Sequence, residues 1–195
     1  MLSAGAEQTN RLLMSTLAQY IRQEALWTSY PRPRGRLSVL PTSSASRQIR
    51  AQSSLMRLAS IVEAHTVHEL VKYLEPQVPK PMSSVLEDIY ASAEDRAIGS
   101  WPSIIDAYKR WPSVKIDKWD EWKKMIAIQD ARNAIAHGVG ELTRRQARKN
   151  QATLTASLKL IGIAVNGIQL EFSDSAIREV ANVSRRFVSW LDDQM

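Results

Sequence analysis

Apolar residues recur along most of this chain at the three- and four-residue spacing that lays them on one side of a helix. Over 5–27, Leu13, Leu17, Tyr20 and Ile21 keep that spacing, which predicts an amphipathic helix stopping near Trp27. The stretch YPRPRGRLSVLPTSSAS, 30–46, breaks it with three prolines, one glycine and four serines, and reads as a loop. A long helix follows from about 47 to 75, with Leu55, Leu58, Val62, Val67, Leu70, Val71 and Leu74 along its apolar side and Pro76, Pro79 and Pro81 ending it. Two shorter helices are predicted over 83–97 and 101–111, split by Gly99, the second opening with Pro102 in its first turn. The triplet WPS occurs at 101–103 and again at 111–113, and two helix starts with an early proline account for it without any duplication. A further helix spans 117–137 and stops at Gly138 and Gly140, and ELTRRQARKNQATLTASLKL continues as a basic helix.

The period then changes from helical to alternating. In IGIAVNGIQLEF, 161–172, Ile163 and Val165 precede the pair Asn166–Gly167, and Ile168, Leu170 and Phe172 follow it. Asn-Gly flanked by alternating apolar residues predicts a two-residue hairpin. Asp174 or Ser175 can cap a last helix carrying Ile177, Val180, Phe187 and Leu191. The expected fold is all-α: an antiparallel helical bundle, one domain over 1–195, with a small β-hairpin before its C-terminal helix.

Composition narrows the classes of function. No cysteine is present among the 195 residues, which excludes disulfides and cysteine-held zinc or iron–sulfur centres. MLSAGAEQTN has neither the basic start nor the apolar run of a signal peptide, and the apolar runs elsewhere are only a few residues long, so a cytoplasmic protein with no membrane span is expected. A net charge of +6 leans towards a polyanionic partner, nucleic acid before membrane.

The candidate chemistry sits in ARNAIAHG, 131–138. With Arg132 at the origin of a helical wheel, Gln129, Asn133, His137 and Asp130 fall at about 60, 100, 140 and 160°. Ile128, Ala131 and Ile135 take the opposite side, and Trp122 and Ile126 extend the polar arc at about 80 and 120°. A polar cluster running into large apolar side chains is expected of a helix–helix or subunit interface. An imidazole can take a proton from a hydroxyl or return one to a leaving oxygen. A guanidinium can grip phosphate oxygens and stabilise charge that grows on them. Asn133, one turn before His137, can fix the ring or donate to a phosphate. RNA brings its own nucleophile, the 2′-hydroxyl, so these groups suffice for its cleavage, whereas DNA would need a nucleophile from elsewhere.

Arg132-Asn133-Ala134-Ile135-Ala136-His137 resembles the R-N-x3-H motif of the HEPN superfamily. SIVEAHTVHEL at 60–70, LTRRQ after the motif and IAVNGIQLEF before the last helix are similar to the RiboL-PSP-HEPN branch, a resemblance covering most of 50–192. It implies a helical domain that dimerises, with two motif helices meeting in a composite, metal-independent endoribonuclease site and no cofactor. It also implies a toxin, abortive-infection or antiviral role, with RNA as substrate and an antitoxin or regulatory protein as a further partner. By position Arg132 and His137 would be catalytic and Asn133 the polar member of the motif. One departure concerns the tyrosine often found two residues after the histidine in relatives silenced by a nucleotidyltransferase. Val139 stands there, so that modification is unavailable.

Other readings stay open beside this one. Arginine and histidine near a helix C-terminus also simply suit the helix dipole. Glu63 shares a stripe with Met56, Ala59, Val67 and Leu70, where its carboxylate either turns inward to pair with Arg132 or His137 or reaches solvent at the edge. His65 and His68, flanked by Glu63 and Glu69, have no clear third ligand and read as surface histidines rather than a metal site. Arg144, Arg145, Arg148 and Lys149 form either a solvated face or a contact for RNA backbone, and RNA contact is favoured. Arg32, Arg34 and Arg36 favour neither. Trp119 and Trp122, with Ile126 and Gln129, are expected beside the dimer contact, while the other tryptophans read as core or interface. Competing with the nuclease are a non-catalytic RNA- or protein-binding module and, less well supported without a glycine-rich phosphate loop, a nucleotide sensor.

Overall fold

The computed structural model of the chain describes residues 1–29, 43–78 and 80–195, so Arg32, Arg34 and Arg36 lie outside the described residues. Its elements, in order, are α1 (Ala4–Ser29), α2 (Ser43–Leu74), α3 (Ser84–Ile98), α4 (Trp101–Arg110), α5 (Trp122–Gly138), α6 (Arg144–Lys159), β1 (Ala164–Asn166), β2 (Gln169–Glu171) and α7 (Asp174–Gln194). The all-α bundle with one small hairpin before the last helix is what the apolar pattern predicts.

Helices α1, α2 and α7 form the centre, burying Leu13, Leu17 and Tyr20, then Leu55, Leu58, Val62 and Leu70, then Ile177, Val180, Val183 and Phe187. Side-chain bonds give their directions. Glu24 accepts from Arg50 at 2.6 Å while Thr9 meets His65 at 3.1 Å, so α1 and α2 are antiparallel. Asn10 donates to Ser189 at 3.3 Å and Tyr20 to Asp174 at 2.7 Å, so α1 and α7 are antiparallel as well. Helix α5 lies against α2 and α7, and α6 lies against α5. Tyr108, buried on α4, hangs that helix on α2 by donating to the Thr66 carbonyl at 2.7 Å.

Several boundaries differ from the sequence expectation, each for a local reason. Helix α5 opens at Trp122 rather than at 117, because Ile116–Lys118 winds into a single tight turn. That turn seats the Trp119 ring 5.2 Å from the Phe187 ring, an edge-to-face contact. The cap of α7 is Ser173, not Asp174 or Ser175: its hydroxyl accepts from the Ala176 amide. Asp174 is engaged instead by Tyr20 and, at 2.8 Å, by Arg47. Helix α2 begins at Ser43, inside the stretch expected to be loop.

The hairpin pairs Ala164 with Glu171, Val165 with Leu170 and Asn166 with Gln169, and Gly167 takes the positive φ of 64° its turn requires. Its outer edge holds the segment after α5: Leu142 donates to the Ile168 carbonyl at 2.7 Å and Leu170 to the Gly140 carbonyl at 2.9 Å. The exit of α5 is thereby fixed from both sides. No helix among the described residues is long and apolar enough to cross a membrane.

Candidate active site

The last two turns of α5 carry Arg132, Asn133 and His137, and the core positions Ile128, Ala131 and Ala134 turn those groups outward. Arg132 is half-buried. Its guanidinium faces Glu63 of α2 at 4.0 Å and donates to the Asn133 side-chain oxygen at 3.3 Å. Glu63, also half-buried, falls between its two expected orientations: its carboxylate faces Arg132 and keeps part of its surface open to solvent. His137 stands exposed one turn on, and among the described residues no side-chain hydrogen bond ties its ring to Arg132 or Asn133. Gln129 is buried; its amide nitrogen and the Arg132 Nε, one turn apart, have no hydrogen-bond partner among the described residues. Burial pushes the neighbouring Asp130 carboxyl above the usual aspartate range.

Beyond His137 the chain turns sharply. Val139 closes α5 in the left-handed region at φ 53° with its amide bonded to the Ala134 carbonyl, and Gly140 follows at φ 89°. A side chain at Gly140 would run into the Gln52 amide of α2. This turn delivers Thr143, which caps α6: its hydroxyl accepts from the Gln146 amide, and the Gln146 side chain accepts from the Thr143 amide. The other end of Gln146 donates to the Asp130 carbonyl at 3.0 Å, joining α6 to α5. Arg144, Arg145 and Arg148 thus start a helix docked beside the motif, and all three are exposed. The side chain of Lys149 lies outside the described residues.

No family model, no curated protein and no solved structure matches this chain. The chemistry of the site rests on its own groups.

Some expected site residues lie elsewhere. Trp119 is buried in the chain's own aromatic cluster with Phe187 and Trp190, and the partly covered Trp122 ring lies 6.0 Å from that of Trp101. Trp119 and Gln129 are thus covered within one copy, whereas Ile126 and part of Trp122 are open. His65 corrects the expectation of surface histidines. It is buried, bonded through Nδ1 to Thr9, and its pKa is lowered by loss of hydration, with His68 and Lys72 reinforcing and Glu69 and Asp192 opposing. No metal-holding group of acidic and histidine side chains occurs among the described residues.

Gln146, which joins α6 to α5, and Gln52, which lies against Gly140, are neighbours of the motif that its pattern alone does not name. The first was legible as the T-x-x-Q pattern of a capping box, Thr143 to Gln146. Gln52 left no local signal.

Proposed function

We propose that the chain is a HEPN-type endoribonuclease that cleaves RNA by attack of the 2′-hydroxyl, without a metal, at a site composed by two copies. The observation that carries this reading is the pairing of an outward, half-buried Arg132 with Glu63 and Asn133, beside an open His137 and the basic start of α6. A carboxylate at 4.0 Å and an amide oxygen at 3.3 Å bias where the guanidinium sits before a phosphate arrives. The imidazole is unencumbered and can exchange protons with a substrate.

In the proposed step the base takes the 2′-proton, the 2′-oxygen bonds to phosphorus, and the bond to the 5′-oxygen breaks. The leaving oxygen takes up a proton, giving a 2′,3′-cyclic phosphate and a 5′-hydroxyl. His137 acts as base or acid, Arg132 stabilises the charged phosphorane, Asn133 positions the phosphate, and Glu63 orients Arg132. One ring cannot face both oxygens of an in-line displacement at once. The motif of a second copy, meeting the open Ile126 side of α5, would supply the other proton-transfer group. A role in toxin–antitoxin or antiviral defence, with an antitoxin or regulatory partner, belongs to the same proposal.

The test is cleavage of a mixed RNA pool in EDTA by the wild type, His137→Ala and Arg132→Ala, with fragment ends mapped. Cyclic-phosphate ends that fall by about 10²-fold or more in both variants are expected. Equal cleavage by all three proteins would overturn the assignment. Binding without cleavage by all three would favour the non-catalytic module.

A further inference from the structure

Helix α3 is the least covered long element. Of its fifteen residues only Ala97 is buried, and its main packing partner is α4. One side shows Val85, Leu86 and Ile89 at 65, 52 and 58% exposure, a contiguous apolar stripe at helical spacing. Glu87, Asp88, Glu94 and Asp95 flank it against a single cation, Arg96, so a basic chain carries a strongly acidic helix here.

The complementary surface surrounds the start of α6. Its first turn holds Arg144 and Arg145 and no acid, so both arginines stand against the positive end of their own helix dipole. Neither these arginines, nor Arg148, nor the four acids of α3 are in an ion pair among the described residues. Apolar groups stand beside them: Val139 is 85% exposed, and Ile168 is exposed where its carbonyl takes the Leu142 amide.

We propose that α3 of one copy docks on this surface of a second copy, its Val85–Leu86–Ile89 stripe against Val139 and Ile168 and its acids against Arg144, Arg145 and Arg148. Charge selects the occupant. Two α3 helices face to face would oppose acid with acid, whereas α3 on α6 answers both unpaired sets. The contact is distinct from the α5 faces proposed to meet in the composite site, and reciprocal exchange between two copies would close it into a pair of its own. The inference does not depend on catalysis, since it concerns association alone. It does have a consequence for the proposed nuclease: α3 and an RNA backbone would compete for the same arginines.

The chain has no cysteine, so introduced thiols report the contact cleanly. Ile89→Cys and Val139→Cys chains, freed of nucleic acid and mixed, are expected to give a crossed disulfide dimer at low salt. Its yield should fall about tenfold when salt is raised past the range where exposed charges are screened. A charge exchange provides the second measurement. Glu87→Lys with Asp88→Lys, and separately Arg144→Glu with Arg145→Glu, should each weaken the crossed dimer, and the two altered chains mixed together should restore it. All four positions are exposed, so stability is expected to change little, which a thermal midpoint checks. A crossed dimer that does not form, or that ignores both exchanges, would overturn the proposal. Crossed pairing lost on adding RNA but present without it would support the competition.

Discussion

At the scale of single residues, the turn after the motif holds an unusual choice. Val139 is β-branched, sits in the left-handed region and buries almost nothing. That conformation costs a branched side chain about 1–2 kcal/mol, and glycine would avoid it while adding about 0.5–1 kcal/mol of chain entropy. Val139→Gly should therefore raise stability by about 0.5–1 kcal/mol, read as a higher denaturant midpoint at an unchanged slope. A fall in the midpoint would show that the side chain contributes contacts outweighing the strain. Strain of this kind tends to persist where function over-determines the backbone, and here it adjoins His137. The arc of polar groups on α5 was legible only in part from the wheel: Ile128 and Ala131 do face the core and Ile135 packs partly buried against it, but Gln129, placed on the polar arc, is buried too. That Glu63 faces Arg132 was not legible, since a stripe gives the side of a helix but not the partner across it.

Among the elements, the docking of α6 turns on one side chain. Gln146 completes the cap with Thr143 and also reaches the Asp130 carbonyl. Gln146→Ala should cost about 1–2 kcal/mol, the loss of a capping residue plus an interhelical bond. Gln146→Glu keeps an acceptor for the Thr143 amide but has no donor for Asp130. Stability intermediate between wild type and alanine, measured by thermal unfolding, is the expected result; equality of glutamate and alanine would mean that the cap contributes nothing. Helix existence and type followed from periodicity, and the hairpin from Asn166–Gly167. The start of α5 did not, because a distant ring, Phe187, draws Trp119 out of helical register into the cluster. Likewise the Tyr20 and Arg47 contacts that engage Asp174 come from parts of the chain far from the cap they alter.

For the molecule as a whole, His65 links the central helices: it lies on α2, bonds to α1 and senses Asp192 of α7. Loss of hydration lowers its pKa, so the fold holds the neutral ring. As pH falls, the unfolded chain binds the proton first, and stability present above about pH 6.5 is lost until the folded ring protonates too. Thermal midpoints should fall between about pH 7 and 5, and His65→Gln should flatten that slope. A slope unchanged in the variant would assign the effect to other groups. The sequence placed His65 at the surface because an HxxH pair on a helix carries no trace of the helix that covers it; Thr9 stands 56 positions away. The same architecture bears on the order of synthesis. Helix α1 bonds α7 across 179 positions at Asn10–Ser189 and 154 at Tyr20–Asp174. Leaving the ribosome, α1 and α2 must wait with one apolar flank bare until α7 has been made. Long-range closure of this kind slows folding and leaves sticky intermediates. Nascent chains stalled before residue 174 should therefore engage chaperones, and release from those chaperones should coincide with the emergence of α7.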